Sequence, residues 1–391
     1  MELRSRPISR RSLLRSTLLG GAGLTGAYLL GCSDEDAGPD VPYLPTLTTE
    51  PTPVSTLPPA GSDRIARAWE QRLTPGLLPP PRKHHSLVLG QPAEGPRLYL
   101  FGGQNDSGDL ADLWQYDPEA DEWIELPPPG PGPRHGHNAV WDSVNGRMLV
   151  FGGQRGSSFF NDTWQYDPDA ARWAELSPAG PIPEARYGAG GAFSPSVAED
   201  DPRPFLPESF IVTHGFTANG RFDDSWALDV TTDSWSEVTP PDVSPLDERP
   251  VERCLMRAIW DTLRNRVIIY GGQTTDEPFL DDLWTLSAPG WSTLEREPRP
   301  SPRTFYSFVF VSTRKEALLF GGNTAAGAES DIWVLHIQDE FWTREQPDGE
   351  RPSARFGHDA VFLEDSSTML VFGGNDGSSD LNELWELRVI A

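Results

Sequence analysis

Six copies of one short pattern constrain the fold of this 391-residue chain more than any other feature. In each copy an apolar run ends in a diglycine, and a tryptophan follows the first glycine after twelve residues, or thirteen in the fourth copy. The diglycines are Gly102-Gly103, Gly152-Gly153, Gly271-Gly272, Gly321-Gly322 and Gly373-Gly374, and the degenerate His214-Gly215 stands in the third position. The tryptophans are Trp114, Trp164, Trp226, Trp284, Trp333 and Trp385. A register kept six times predicts a structural repeat.

The second copy indicates how one unit folds. Residues 138–141 and 147–151 flank Asn145-Gly146, which tolerates positive φ and favours a tight hairpin between strands a and b. Residues 163–166 and 172–176 are the predicted strands c and d. A four-stranded sheet of this size has two apolar faces, so it has to stack on copies of itself.

The diglycines and the paired aromatic residues resemble those of Kelch-repeat proteins, whose units are the blades of a β-propeller. The resemblance covers residues 64–391 and implies an all-β, six-bladed Kelch-type propeller. The last unit stops before a strand d, whereas residues 64–73 resemble the d segment around Trp123. We therefore expect this upstream segment to complete blade 6 beside the C-terminal strand, which would close the ring and remove free sheet edges.

The amino terminus predicts export and lipidation. Residues 9–15 resemble a twin-arginine signal, residues 16–30 are apolar but too short for an ordinary membrane span, and Leu29-Leu30-Gly31-Cys32 resembles a bacterial lipobox. The expected products are a signal peptide, residues 1–31, and a protein lipidated on Cys32 in the bacterial cell envelope, outside the cytoplasmic membrane. The alternative is an ordinary signal or anchor with an incidental cysteine.

Residues 32–63 form the predicted tether, since residues 33–63 contain no Lys or Arg and are rich in Pro, Thr and acidic residues. Signal cleavage would remove five Arg and one Glu from 32 basic and 58 acidic residues, which leaves a formal net charge of −30. Such a charge repels phosphate backbones and anionic lipids. We therefore expect no nucleic-acid partner, membrane contact through the lipid anchor alone, and a monomer whose remaining Cys254 is a buried thiol.

An arginine recurs just before each strand a. If these side chains face the propeller axis, they would form a ring able to grip a carboxylate, whereas internal pairing with neighbouring acids would make them architectural. The six are Arg82, Arg134, Arg186, Arg253, Arg303 and Arg355. The acids two residues before the tryptophans favour architecture, because all six copies have one.

Three histidines break the sixfold symmetry. His85, His137 and His358 each follow a repeated arginine by three residues, in blades that are neighbours around the ring. They are candidate ligand contacts on the axis. Three imidazoles that face one channel could bind zinc or copper, but histidine is common at this point of the repeat in the family that the chain resembles, and we predict neither a metal nor a cofactor.

The loops between strands b and c differ from blade to blade and are the predicted recognition surface. They comprise residues 104–108, 154–160, 216–220, 273–279, 323–327 and 375–379. Phe159, Phe160 and Phe279 are candidate anchors in these polar loops, and packing beneath the loops is the alternative. An acidic insertion, residues 194–208, lies on the opposite face of blade 3.

These observations favour a lipid-anchored binding or scaffold module whose partner is a protein segment or a glycan, and no catalytic residue is predicted. The alternative is a periplasmic carbohydrate-active enzyme, such as a sugar-acid epimerase that uses the channel. An enzyme of that kind needs a deep pocket with an unpaired arginine near a histidine or carboxylate, whereas a binding module has paired arginines and a broad face.

Overall fold

The computed structural model describes residues 66–390, apart from Ala93, residues 128–129, 196–205 and 240–248, Pro289 and Glu295. These residues form strands, turns and loops and contain no helix. The predicted signal segment, Cys32, the tether and most of the blade 3 insertion lie outside the described residues. Within the described part of the chain, no helix meets the length and hydropathy needed to cross a bilayer.

Six sheets account for the repeats, and each contains four strands ordered a-b-c-d with antiparallel neighbours; the sheet of blade 6 has a fifth, two-residue strand at its outer edge. Blade 1 contains Ser86–Gly90, Arg97–Phe101, Leu113–Asp117 and Glu122–Leu126. Blade 2 contains Asn138–Asp142, Arg147–Phe151, Thr163–Asp167 and Arg172–Leu176. Blade 3 contains Gly190–Ser194, Ser209–Thr213, Ser225–Asp229 and Ser234–Glu237.

The remaining three blades repeat the arrangement, and blade 6 takes its outer strand from the start of the described chain. Blade 4 contains Arg257–Asp261, Arg266–Gly272, Leu280–Ser287 and Gly290–Thr293. Blade 5 contains Ser307–Val311, Glu316–Thr324, Gly327–His336 and Phe341–Glu345. Blade 6 contains Asp359–Leu363, Thr368–Phe372, Leu384–Ile390 and Ala66–Arg72.

The a strands of successive blades contact one another in a closed cycle, so the sheets form a ring. The hydrophobic core lies between the blades. For example, Val88 and Tyr99 of blade 1 pack with Trp141 and Met148 of blade 2. The predicted all-β, six-bladed Kelch-type propeller is therefore confirmed, and each sheet buries its faces against its two neighbours.

The predicted closing strand is confirmed. Ala66–Arg72 pairs antiparallel with Leu384–Ile390 along its whole length, with Ala68 opposite Arg388. Asp348–Gly349, from the connection between blades 5 and 6, pairs in parallel on its outer side. Blade 6 thus joins the two ends of the described chain within one sheet.

The hairpin between strands a and b is wider than the tight turn expected at Asn145-Gly146. Asp142 and Arg147 are paired, which leaves a four-residue loop between them. The Asp142 carboxylate accepts hydrogen bonds from the N–H groups of Val144 and Asn145 and stabilises the loop. Gly146 supplies the positive φ, +64°, that returns the chain to strand b.

Candidate binding face

One face of the ring is built from the b-to-c loops and the connections that lead into each strand a. The residue after each repeated arginine bridges to the start of the b-to-c loop of its own blade. The bridges are Lys83 to Gln104, His135 to Gln154, Tyr187 to Phe216, Cys254 to Gln273, Thr304 to Asn323 and Phe356 to Asn375. The two loop sets therefore emerge together, and we call this surface the loop face.

The repeated arginines have internal partners. Arg134 is 2% exposed and donates from both Nη atoms to the carboxylate of Asp162, at 2.7 and 2.8 Å. It also donates to the Gly152 carbonyl at 2.9 Å. The indole Nε1 of Trp164 donates to the same carboxylate at 2.7 Å. This Arg-Asp-Trp unit therefore connects the start of strand a, the end of strand b and the start of strand c.

The unit recurs in the other five blades, with a single Nη-to-carboxylate hydrogen bond in blade 6, where glutamate replaces aspartate. The pairs are Arg82 with Asp112, Arg186 with Asp224, Arg253 with Asp282, Arg303 with Asp331 and Arg355 with Glu383. Burial alone would raise the pKa of Asp112, but the hydrogen bond and charge of Arg82 bring the pKa below its ordinary value. This pairing favours the architectural role over a carboxylate-binding ring.

A closed ring of backbone hydrogen bonds surrounds the axis, and the sequence analysis missed it. The residue two after each arginine has a φ between +53° and +66°. Each of these residues donates its N–H to the carbonyl of its equivalent in the preceding blade, over 2.7 to 3.1 Å. The members are His84, Gly136, Gly188, Leu255, Phe305 and Gly357. Three glycines at equivalent positions were the available signal, because glycine favours positive φ.

Aromatic side chains cover this axial ring. The His84 imidazole stacks on Phe305 with ring centroids 4.2 Å apart, and His135 meets Tyr187 edge to face at 5.2 Å. His135 Nδ1 lies 2.5 Å from the carboxylate of Asp109, which comes from the b-to-c loop of blade 1. The centre of the loop face is therefore filled by side chains rather than open as a channel mouth.

The three symmetry-breaking histidines are buried beneath the axial ring. His137 Nε2 lies 2.9 Å from Ser86 Oγ, and His358 Nε2 lies 3.1 Å from Ser307 Oγ, so both rings contact the preceding blade. Neither ring nitrogen of His85 has a hydrogen-bond partner among the described residues. Burial, followed by nearby cations, lowers the pKa of all three imidazoles well below the ordinary value.

A small cavity on the axis adjoins these histidines. Its volume is about 40 Å³, and Arg257 lies in its wall together with His85 and His137. Arg257 Nη2 is 3.2 Å from Asp359 Oδ1, an ion pair between blades 4 and 6 that the sequence analysis did not anticipate. Since one water needs about 10–15 Å³ of such space, the cavity holds a few waters rather than a sugar ring.

The three candidate phenylalanines are partly buried. Phe159 meets Phe216 of the next blade edge to face at 5.6 Å, and the Arg134 guanidinium lies over the Phe160 ring at 4.5 Å. Phe279 has intermediate exposure. Phe159 and Phe160 therefore pack within the loops and remain partly accessible.

The exposed loop tips differ in charge around the face. Asp106 of blade 1 and Asp276 and Glu277 of blade 4 are exposed acids, whereas Arg155 of blade 2 is an exposed base. Small residues form the tips of blades 3, 5 and 6. The loop face thus presents an uneven charge pattern on a rigid frame, as a recognition surface requires.

The fold and this face define a six-bladed β-propeller with Kelch-type blades. Residues 63–249 and 242–390 match the KLHDC2/KLHL20/DRC7 Kelch-repeats domain. The chain belongs to the Kelch-repeat family.

Several curated proteins share this similarity. The chain is 26% identical to the Host cell factor homolog hcf-1 of Caenorhabditis elegans over 48% of this chain and 26% of that protein. It is 26% identical to the Rab9 effector protein with kelch motifs of Bos taurus over 51% of each chain. It is 24% identical to the Leucine-zipper-like transcriptional regulator 1 homolog of Drosophila melanogaster over 80% of this chain and 26% of that protein. The matched region spans about half or less of each of these relatives.

Proposed function

We propose that this protein binds a protein segment on the loop face of its propeller and is held outside the bacterial cytoplasmic membrane by a lipid on Cys32. The observation that carries the binding function is the closure of the axis. Internal partners occupy the six repeated arginines, and the axial ring and its aromatic cover fill the centre. The accessible and variable part of the face is therefore the circle of b-to-c loop tips.

A protein partner is favoured over a small molecule by size and shape. Pockets that enclose a drug-sized ligand measure about 300–1,000 Å³, whereas the axial cavity is far smaller. A broad face with separate charged tips suits a partner that contacts several blades at once. The name of the bovine relative, a Rab9 effector, describes a protein that acts with another protein, which agrees with this class of function.

Lipid anchoring is proposed from the sequence of residues 1–32. The lipobox-like Leu29-Leu30-Gly31-Cys32 provides the thiol, and the charge of the remaining chain disfavours direct contact with anionic lipid. The wild-type chain is expected to fractionate with membranes and to carry a diacylglyceryl group on Cys32, its first residue after cleavage of the signal peptide. Cys32→Ala is expected to remove both properties, and a lipid-free wild type would contradict the anchor.

The binding function is tested with the chain from Ser33 onwards, because the six blades lie within residues 66–390. Envelope proteins retained by this chain are quantified for the wild type and for a loop-face variant, Arg155→Glu with Asp276→Arg. The matched control is Val144→Glu on the a-to-b turn of blade 2, outside the loop face. We expect the loop-face variant to lose its partner at least tenfold and the control to keep it. Equal retention by both would contradict the proposal, and retention of polysaccharide alone would identify a glycan instead.

A further inference from the structure

The outer edges of two blades are covered by short segments of the chain itself. Ala179, in the connection from blade 2 to blade 3, pairs in parallel with Ser234 of the outer strand of blade 3. Asp348–Gly349 pairs in the same way with Ala68 and Trp69 of blade 6. Each covering segment contains Pro, a further residue and Gly, as Pro178-Ala179-Gly180 and Pro347-Asp348-Gly349. These two sites show which sequence fits a blade edge.

Glycine is required at the third position of this covering motif. Gly180 has a φ of +83° and Gly349 a φ of +87°, which disfavour other residues. A Cβ on Gly180 would lie 2.8 Å from the carbonyl oxygen of Trp235, and one on Gly349 would overlap the carbonyl of Trp69. The glycine therefore lets the covering backbone approach the outer strand.

The outer strands of blades 1, 2, 4 and 5 have no such cover among the described residues. The connection from blade 6 into blade 1 contains Pro75-Gly76, without the intervening residue of the covering motif, and no atom lies within 4 Å of a Cβ placed on Gly76. Among the described residues, the outer strand Glu122–Leu126 pairs only with strand c. Leu73, Leu77 and Ile124 are 80%, 66% and 48% exposed. An open sheet edge with nearby exposed apolar side chains favours addition of a strand.

We propose that residues 57–62 of a second copy of this chain pair in parallel with the outer strand of blade 1. The segment reads Leu57-Pro58-Pro59-Ala60-Gly61, and the segment that covers blade 3 reads Leu176-Ser177-Pro178-Ala179-Gly180. Both share the pattern Leu-x-Pro-Ala-Gly, so the chain contains the sequence that its own fold uses for this purpose. The exposed Ile124 supplies an apolar contact at the edge.

Reach favours a second copy over the same chain. The end of the blade 6 outer strand that faces blade 1 is Arg72, whose Nε lies 3.7 Å from Asp121, the residue before the open strand. Residues 57–62 join the other end of that strand, at Ala66. Its six residue steps span about 20 Å, and the five steps from Gly61 to Ala66 span at most about 18 Å. The connection within one chain is therefore too short to carry Gly61 along that strand to blade 1, whereas a second copy has no such limit.

The test is sedimentation velocity of the chain from Ser33 onwards over a wide range of concentrations. We expect the wild type to associate reversibly. Gly61→Val removes the glycine that the motif requires, and Ile124→Glu places a charge on the open edge. Each substitution is expected to weaken association at least tenfold. The matched control is Gly38→Val, elsewhere in the predicted tether, and it is expected to leave association unchanged. A peptide of residues 56–63 is expected to compete with association, and the same peptide with Gly61→Val is not.

The outcomes separate this inference from the proposed function. A wild type that stays monomeric throughout overturns the inference, and so does association that survives both substitutions. Loss of association with Ile124→Glu but not with Gly61→Val assigns the edge to a different occupant and also overturns it. Binding by the loop face, probed with Arg155→Glu and Asp276→Arg, is expected to persist in the Gly61→Val chain, because the two surfaces share no residue.

Discussion

Arg67 of the closing strand forms a buried ion pair with Glu316 of blade 5, with 2.7 Å between Nη2 and Oε2. Its Nη1 also lies 3.2 Å from Glu345 of the same blade. Both Arg67 and Glu316 are almost fully buried. The strand that completes blade 6 is therefore fixed both to its own sheet and to the sheet of the preceding blade, blade 5.

Arg67→Met is expected to lower the free energy of unfolding by about 3–5 kcal/mol, because it leaves the buried Glu316 without its partner. Urea unfolding followed by tryptophan fluorescence measures the change. Combining Arg67→Met with Glu316→Gln is expected to restore part of the loss. Glu70→Ala, which removes only the exposed ion pair with Arg388, is the control and is expected to cost about 1 kcal/mol or less. Equal effects of Arg67→Met and Glu70→Ala would contradict the role of the closing strand.

Arg134→Lys tests whether the repeated arginines are architectural. Lysine keeps the charge but cannot make the two parallel hydrogen bonds to Asp162, so we expect a loss of about 2 kcal/mol or more in stability. Partner binding by the fraction that remains folded is expected to stay unchanged. Normal stability with weakened binding would instead indicate that the repeated arginines contact the ligand.

The axial ring predicts different costs for two alanine substitutions. Gly136 and Gly156 have similar φ values, +59° and +54°. A Cβ on Gly136 would overlap the Tyr187 ring, whereas a Cβ on Gly156 meets no atom within 4 Å. Gly156→Ala is expected to cost only backbone strain of about 1 kcal/mol, and Gly136→Ala considerably more. Equal midpoints of urea unfolding for the two variants would argue against the ring.

Buried histidines predict a stability that falls in mild acid. Burial lowers the pKa of His84, His85, His137, His214 and His358, so these rings stay neutral in the folded chain. In the unfolded chain they take up protons below about pH 6.5. Stability is therefore fully present above that pH and declines below it, by about 1.4 kcal/mol per pH unit for each histidine.

Urea unfolding at pH 7.5 and pH 5.5 measures this effect. The aspartates of the Arg-Asp-Trp units do not interfere, since the pKa of a group such as Asp162 lies below its ordinary value. Burial instead raises the pKa of Asp359, and this group opposes the decline as the pH falls. His137→Gln is expected to reduce the difference in unfolding free energy between the two pH values by the contribution of one histidine. Equal stability at the two pH values would show that the histidines titrate alike in the folded and unfolded chains.

The repeat made most of the fold predictable. The spacing from diglycine to tryptophan predicted the number of blades, and the segment around Trp69 predicted the closing strand. Both were predictable because each depends on the residue pattern of a single blade. The equivalent acids before the tryptophans also favoured an architectural role, which the Arg-Asp-Trp unit fits. His214, in the place of a glycine, has a φ of +59° and keeps the same geometry.

Features that depend on how blades meet were not predictable in this way. The axial ring joins residues from all six blades, and the pair of Arg257 with Asp359 crosses from blade 4 to blade 6. Their positions in the repeat are visible in the sequence, but their distances follow only from the closed ring. The difference between Gly76 and Gly180 is of the same kind, because each lies one or two residues after a proline and only Gly180 lies against an outer strand.

The most direct test of the central claim, that the loop face binds a protein partner, is site-specific photo-cross-linking in envelope extracts. A photoreactive side chain is placed at Ser157 or Asn219 on the loop tips and at Val144 away from the loop face. We predict one shared cross-linked protein from the two loop positions and none from Val144. Cross-linking from Val144 alone, or from none of the three positions, would contradict the account.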